Sequence, residues 1–106
     1  MKHLLIILLL LPSLAFSHSK VSATVPVNGA ILDIAPDDFT FNFDKTIRLV
    51  SVVVNGESAT LPDQDAFAKT IIMTAPALDK GRHTVEWRGL SSDGHPVSGT
   101  FTFTVQ

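Results

Sequence analysis

Few residues of this chain are equipped for chemistry, and the most suggestive of them lie near its two ends. Toward the C-terminus, Asp93-Gly94-His95 sets a carboxylate and an imidazole two positions apart within the polar stretch Ser91-Ser92-Asp93-Gly94-His95-Pro96. In extended backbone, residues i and i+2 face the same way, and Gly94 adds no bulk between them, so the two side chains can converge. At the other end, His18 follows Ala15-Phe16-Ser17, whose Ala15 and Ser17 are small residues in the Ala-x-Ser spacing of a leader cleavage site. Cutting there makes His18 the first residue of the mature chain, where its α-amine and imidazole Nδ1 can close a six-membered ring on one metal ion. An α-amine has an ordinary pKa of about 7.7 to 8.0, low enough for a metal to displace its proton near neutral pH. His18, Asp93 and His95 together offer one amine, two imidazoles and one carboxylate, a set that suits tetragonal Cu(II). Each feature alone also has a plain structural reading: some residue must follow a cleavage site, and Asp-Gly-His-Pro commonly makes a turn.

Other chemistries find little support. The 106 residues include no cysteine, which excludes disulfides, thiolate metal sites and a cysteine nucleophile. A formal net charge of -2 leaves no basic excess for nucleic acid or an anionic membrane. Neither a Gly-x-Ser-x-Gly elbow, a His-Glu-x-x-His zinc motif nor a phosphate-cradling glycine loop occurs. Asp63-Gln64-Asp65 reads as a solvated loop, short of the oxygens that calcium requires. His83 shares strand parity with Val85 and Trp87, so it is expected at the edge of a core, with Trp87 as an anchor of that core.

The elements that must hold these residues are strands. Residues 1–17 form the expected signal peptide: Lys2 near the start, an apolar run from Leu4 to Phe16 and the Ala15-Phe16-Ser17 cut. That run is about 13 residues, against roughly 20 for a permanent membrane helix. In residues 18–106, Phe39-Thr40-Phe41-Asn42-Phe43 and Phe101-Thr102-Phe103-Thr104-Val105 alternate with period two, the mark of strands with one buried face. Lys20–Val25, Leu49–Val54, Thr70–Met73 and His83–Trp87 supply four more. Turn residues separate them at Pro26–Gly29, Ala35–Asp38, Asn55-Gly56, Leu61–Asp63, Asp79–Gly81 and Asp93–Pro96. This pattern predicts one all-β domain, a small antiparallel Greek-key barrel or sandwich of about seven strands, immunoglobulin-like.

The stretch Val85-Glu86-Trp87-Arg88-Gly89-Leu90-Ser91-Ser92-Asp93-Gly94-His95-Pro96-Val97-Ser98-Gly99-Thr100-Phe101-Thr102-Phe103 resembles the periplasmic copper resistance protein CopC family. His18, Pro26-Val27-Asn28-Gly29-Ala30 and Ala35-Pro36 match that family's mature N-terminal histidine, its Pro-x-x-Gly turn and the Ala-Pro that follows. The resemblance implies a periplasmic carrier, not an enzyme, binding one Cu(II) per chain through His18, Asp93 and His95. A CopD-like inner-membrane copper transporter is the candidate partner, with no nucleic acid and no stable membrane insertion once the leader is cut.

Two departures from the family stand out. Some relatives hold Cu(I) in a methionine-rich loop, but only Met73 remains after residue 17, so no Cu(I) site is expected. Many relatives carry a glutamate near the copper where this chain reads Phe43-Asp44-Lys45-Thr46; Asp44 and, on the strand before the loop, Glu86 are the carboxylates to weigh beside the site. Two other classes compete with the carrier. An immunoglobulin-like adhesion or assembly module would leave His18, Asp93 and His95 without a role. A copper-dependent oxidative enzyme could use a histidine chelate too, but a fourth ligand at Asp93 argues against it.

Overall fold

A computed structural model describes residues 21–106; the expected leader and His18 lie outside the described residues. Seven strands and no helix make up the described chain: β1 (Val21–Val25), β2 (Ala30–Leu32), β3 (Asp38–Val54), β4 (Glu57–Ser58), β5 (Ala68–Thr74), β6 (Gly81–Ser91) and β7 (Pro96–Val105). They form one curled sheet in the order β1-β3-β6-β7-β2, with β4 and β5 also paired to β3. All pairings are antiparallel except β2 with β7, which run parallel from Ala30↔Phe103 to Leu32↔Val105.

The two segments 39–43 and 49–54, each read from the sequence as its own strand, are one strand of 17 residues. β3 serves two layers in turn. Its first half pairs with β1 and β5, and its second half pairs with β6. Between them the register to β5 shifts from Asn42 to Ile47, and the exposed Asp44 and Lys45 mark the corner. Strands that pass from one sheet layer to another do so at such irregularities. A second shift against β6 falls between Leu49 and Ser51. It inverts the inward parity from odd positions (Phe39, Phe41, Phe43, Ile47, Leu49) to even ones (Val52, Val54) and turns Val50 out to solvent, as one extra residue in a pleated ladder must.

Gln64, which the sequence suggests is solvated, instead ties the long β4–β5 connection to this strand. Its side-chain amide accepts from the Leu49 N–H at 2.7 Å and donates to the Leu49 C=O at 3.0 Å, the two bonds a neighbouring strand residue would make. The Arg48 guanidinium donates to the Gln64 C=O at 2.7 Å. Asp63 and Asp65 on either side are exposed.

The core is a file of aromatic rings. Phe43 and Phe41 lie against Trp87 with ring centres 5.3 and 6.1 Å away, and Phe41, Phe39, Phe101 and Phe103 continue the file at 5.7 to 6.3 Å. Most contacts are edge-to-face, the arrangement that ring quadrupoles favour. Met73 is buried within the same cluster. His83 closes the far end, its ring 5.5 Å from Phe103; Nδ1 accepts from Asn55 Nδ2 at 2.9 Å and Nε2 donates to the Asp79 C=O at 2.7 Å. With both ring nitrogens engaged, His83 is a hydrogen-bonded core residue, as its parity indicates.

β6 and β7 pair without a break from Gly81↔Val105 to Leu90↔Pro96, so the chemistry-bearing loop between them sits on the longest uninterrupted ladder of the fold. Trp87 lies opposite Gly99 in that ladder. A Cβ at position 99 would stand 2.6 Å from Trp87 Cζ2, which shows that the indole occupies the volume a side chain there would need. Gly99→Ala is therefore expected to cost about 1–3 kcal/mol through forced displacement of a rigid, buried ring. A lower urea midpoint and an altered near-UV signal from this one tryptophan would report it; an unchanged midpoint would contradict the packing described.

Candidate metal centre

The site grows from the parity that Trp87 sets on β6. Residues 83, 85, 87, 89 and 91 all face inward and are buried, so Ser91 arrives at the end of the strand with its hydroxyl beneath the loop, 3% exposed. Gly94 N–H donates to the Ser91 C=O at 2.9 Å, and Ser91 N–H donates to the His95 C=O at 2.9 Å. Gly94 takes φ +86°. These are the marks of a three-residue hairpin loop closed by a glycine in the left-handed region.

This turn, and not extended backbone, brings Asp93 and His95 together. His95 Nδ1 lies 3.2 Å from Asp93 Oδ2. Asp93 Oδ1 accepts from the Ser91 hydroxyl, whose oxygen in turn accepts the His95 backbone N–H at 3.1 Å. Both donor side chains remain open to solvent, His95 at 75% and Asp93 at 52%. An ion that takes the place of the proton between His95 Nδ1 and Asp93 Oδ2 meets nitrogen and oxygen side by side.

The Asp93 carboxyl is held below its ordinary value of 3.8, first by the Ser91 hydroxyl, then by the His95 and Lys45 charges. Lys45 comes from the corner of β3, which is fastened to the loop. Ser92 N–H donates to the Thr46 C=O at 3.2 Å, and the Thr46 and Ser92 hydroxyls share a hydrogen bond of 2.9 Å.

Asp93 and His95 are thus united as the spacing suggests, while Asp44, on the corner of β3, and Glu86, on β6, are exposed. Among the described residues no third His, Asp or Glu joins the pair, and His18 lies outside the described residues. Ser91, Thr46 and Lys45 do not stand out as site residues in the sequence. For Ser91 the signal is present in the β6 alternation, since position 91 has the parity of Trp87; for Thr46 and Lys45 no local signal exists, because the corner of β3 is a tertiary feature.

Comparison with known proteins places these features in context. The CopC domain family profile matches residues 21–106. The copper resistance protein C of Pseudomonas syringae pv. tomato is 30% identical, with 92% of this chain and 88% of that protein covered. In the crystal structure of CopC from Methylosinus trichosporium OB3b the similar fold has a TM-score of 0.70 at 26% identity, over 84% of this chain and 94% of that one. The structure of PcoC, a methionine-rich copper resistance protein from Escherichia coli, matches with a TM-score of 0.62 at 25% identity, over 85% of this chain and 100% of that one.

The electrostatics of the loop yield a direct expectation. In metal-free protein, the Asp93 side-chain carbon followed by NMR should titrate below the ordinary aspartate range, because hydrogen bonding and positive neighbours favour the charged form. Ser91→Ala should raise that pKa, and Lys45→Ala should raise it less. An Asp93 pKa unmoved by Ser91→Ala would refute the assigned hydrogen bond.

Proposed function

We propose that this chain, which belongs to the CopC domain family, is a periplasmic copper carrier that holds one Cu(II) through His18, Asp93 and His95. The observation that carries the reading is the Asp93–His95 pair, 3.2 Å apart and open to solvent at the end of a rigid ladder. Two donors are too few for Cu(II), and an exposed pair is suited to completion by a second segment. The α-amine and imidazole of His18, freed by cleavage after Ser17, would supply two nitrogens already linked in one chelate ring. Copper is then cargo: one carboxylate offsets part of its charge, and exposure allows it to leave by stepwise ligand exchange.

The donor chemistry also sets the selectivity. Amine and imidazole sites bind Cu(II) more strongly than Zn(II), while Cu(I) prefers soft sulfur ligands. Met73 is buried in the core at 2% exposure, so its thioether does not reach the hairpin loop. No helix of the described residues is long and apolar enough to cross a membrane, which suits a carrier that works beside a CopD-like transporter, the partner we favour for delivery. A set with both imidazoles and the carboxylate on the metal favours holding copper over oxidative catalysis.

The decisive experiment titrates protein recovered after export with Cu(II) against a competing chelator. Mass spectrometry should show a mature N-terminus at His18, and one Cu(II) should bind per chain. A single extra residue ahead of His18 converts the amine to an amide, and it should lower the affinity by orders of magnitude, as His18→Ala should. Tight binding that survives both this extension and His95→Ala would overturn the assignment. In competition assays Cu(II) should exceed Zn(II), and under reducing conditions Cu(I) should bind weakly; Cu(I) held as tightly as Cu(II) would rule out a nitrogen and oxygen site.

A further inference from the structure

We infer that Ser91 is a positioning residue of the copper centre, one whose buried hydroxyl presets the distance and orientation of Asp93 and His95 before metal arrives. The inference rests on the copper reading above and concerns a residue that touches no metal.

A hydroxyl has one proton to donate and two lone pairs to accept with. An ionised carboxylate can only accept, so the Ser91 proton must go to Asp93 Oδ1, and the oxygen is left to receive the His95 N–H at 3.1 Å. A single group therefore bonds to the side chain of one donor residue and to the backbone of the other. Ser91 is itself fixed from below: it is 3% exposed and paired with Ile47 of β3. The backbone of the loop is already closed by the Gly94-to-Ser91 and Ser91-to-His95 hydrogen bonds. What the hydroxyl adds is the Asp93 rotamer. With Oδ1 committed to Ser91, Oδ2 is the oxygen turned toward His95, so Asp93 presents one oxygen to an ion and not a chelating pair. Outer partners of this kind orient ligands, and their loss costs about 10–100-fold in metal affinity.

The test uses exported protein, Cu(II) titrated against a chelator, and the electron paramagnetic resonance spectrum of the bound ion. Ser91→Ala should bind Cu(II) about 10–100-fold more weakly and shift the copper hyperfine pattern, with only a modest change in thermal unfolding because the exposed Asp93 carboxylate it releases is met by water. Ser91→Thr and Ser91→Val form a matched pair: the two new side chains have nearly the same shape, and only the first keeps a hydroxyl. Any packing penalty is common to the two, so tighter binding and a wild-type spectrum in Ser91→Thr alone would support positioning even if Ser91→Ala folds poorly. Equal affinity and spectrum in Thr and Val variants, or a wild-type result for Ser91→Ala, would overturn it. His95→Ala runs in parallel. If it loses copper while the Ser91 variants do not, this inference alone fails; if it keeps copper at full affinity, the copper reading fails and takes the inference with it.

Discussion

The indole of Trp87 seated over the bare Cα of Gly99 is the contact on which the rest of this structure turns. The ring is buried between Phe41 and Phe43 on one side and the β7 backbone on the other, and the missing Cβ at position 99 lets two strands and a bicyclic side chain share space that would otherwise hold two ordinary residues. Because side chains alternate along a strand, the inward direction of Trp87 also decides that of every second residue to the end of β6. Ser91 is the last of these. A core packing choice thereby places a hydroxyl under a loop four residues away.

β3 supplies the complementary constraint. A straight strand of 17 residues could not serve both layers of so small a domain; the corner at Asp44–Thr46 and the extra residue near Val50 let it do so. The corner also delivers Thr46 and Lys45 to the hairpin loop, where one fastens the backbone and the other favours an ionised Asp93. Gln64 completes the curl by lending its amide where no strand pairs. The site is therefore exposed but not loose: its donors are solvent-facing, while each bond that orients them leads back to a buried or paired residue.

That combination suits a protein that must hold an ion and later give it up. A fully enclosed site would bind through burial and release slowly, whereas an unsupported surface histidine would have no defined geometry. Here the described residues provide a preset half-site of one carboxylate and one imidazole. In the proposed function the other half comes from His18, so assembly of the centre depends on maturation of the chain.

Much of this is legible in the sequence, and the limit has a physical basis. Local patterning, which depends only on neighbouring residues, determined the all-β class, the inward phenylalanines at 39, 41, 43, 101 and 103, the core role of His83 and Trp87, and the pairing of Asp93 with His95. The reason for that pairing differs from the extended-strand argument, since it is the left-handed Gly94 that turns the two side chains together. Only the tertiary structure decided that segments 39–43 and 49–54 are a single bent strand, that Ala30–Leu32 runs parallel to β7, that Gln64 substitutes for a strand, and that Thr46 and Lys45 meet the loop. The first depends on the layers packed on either side of the bend, and the others join residues distant in sequence through the curl of the sheet. Periodicity reports which face of a strand is buried; it carries no information about which other strand, corner or loop will be found against that face.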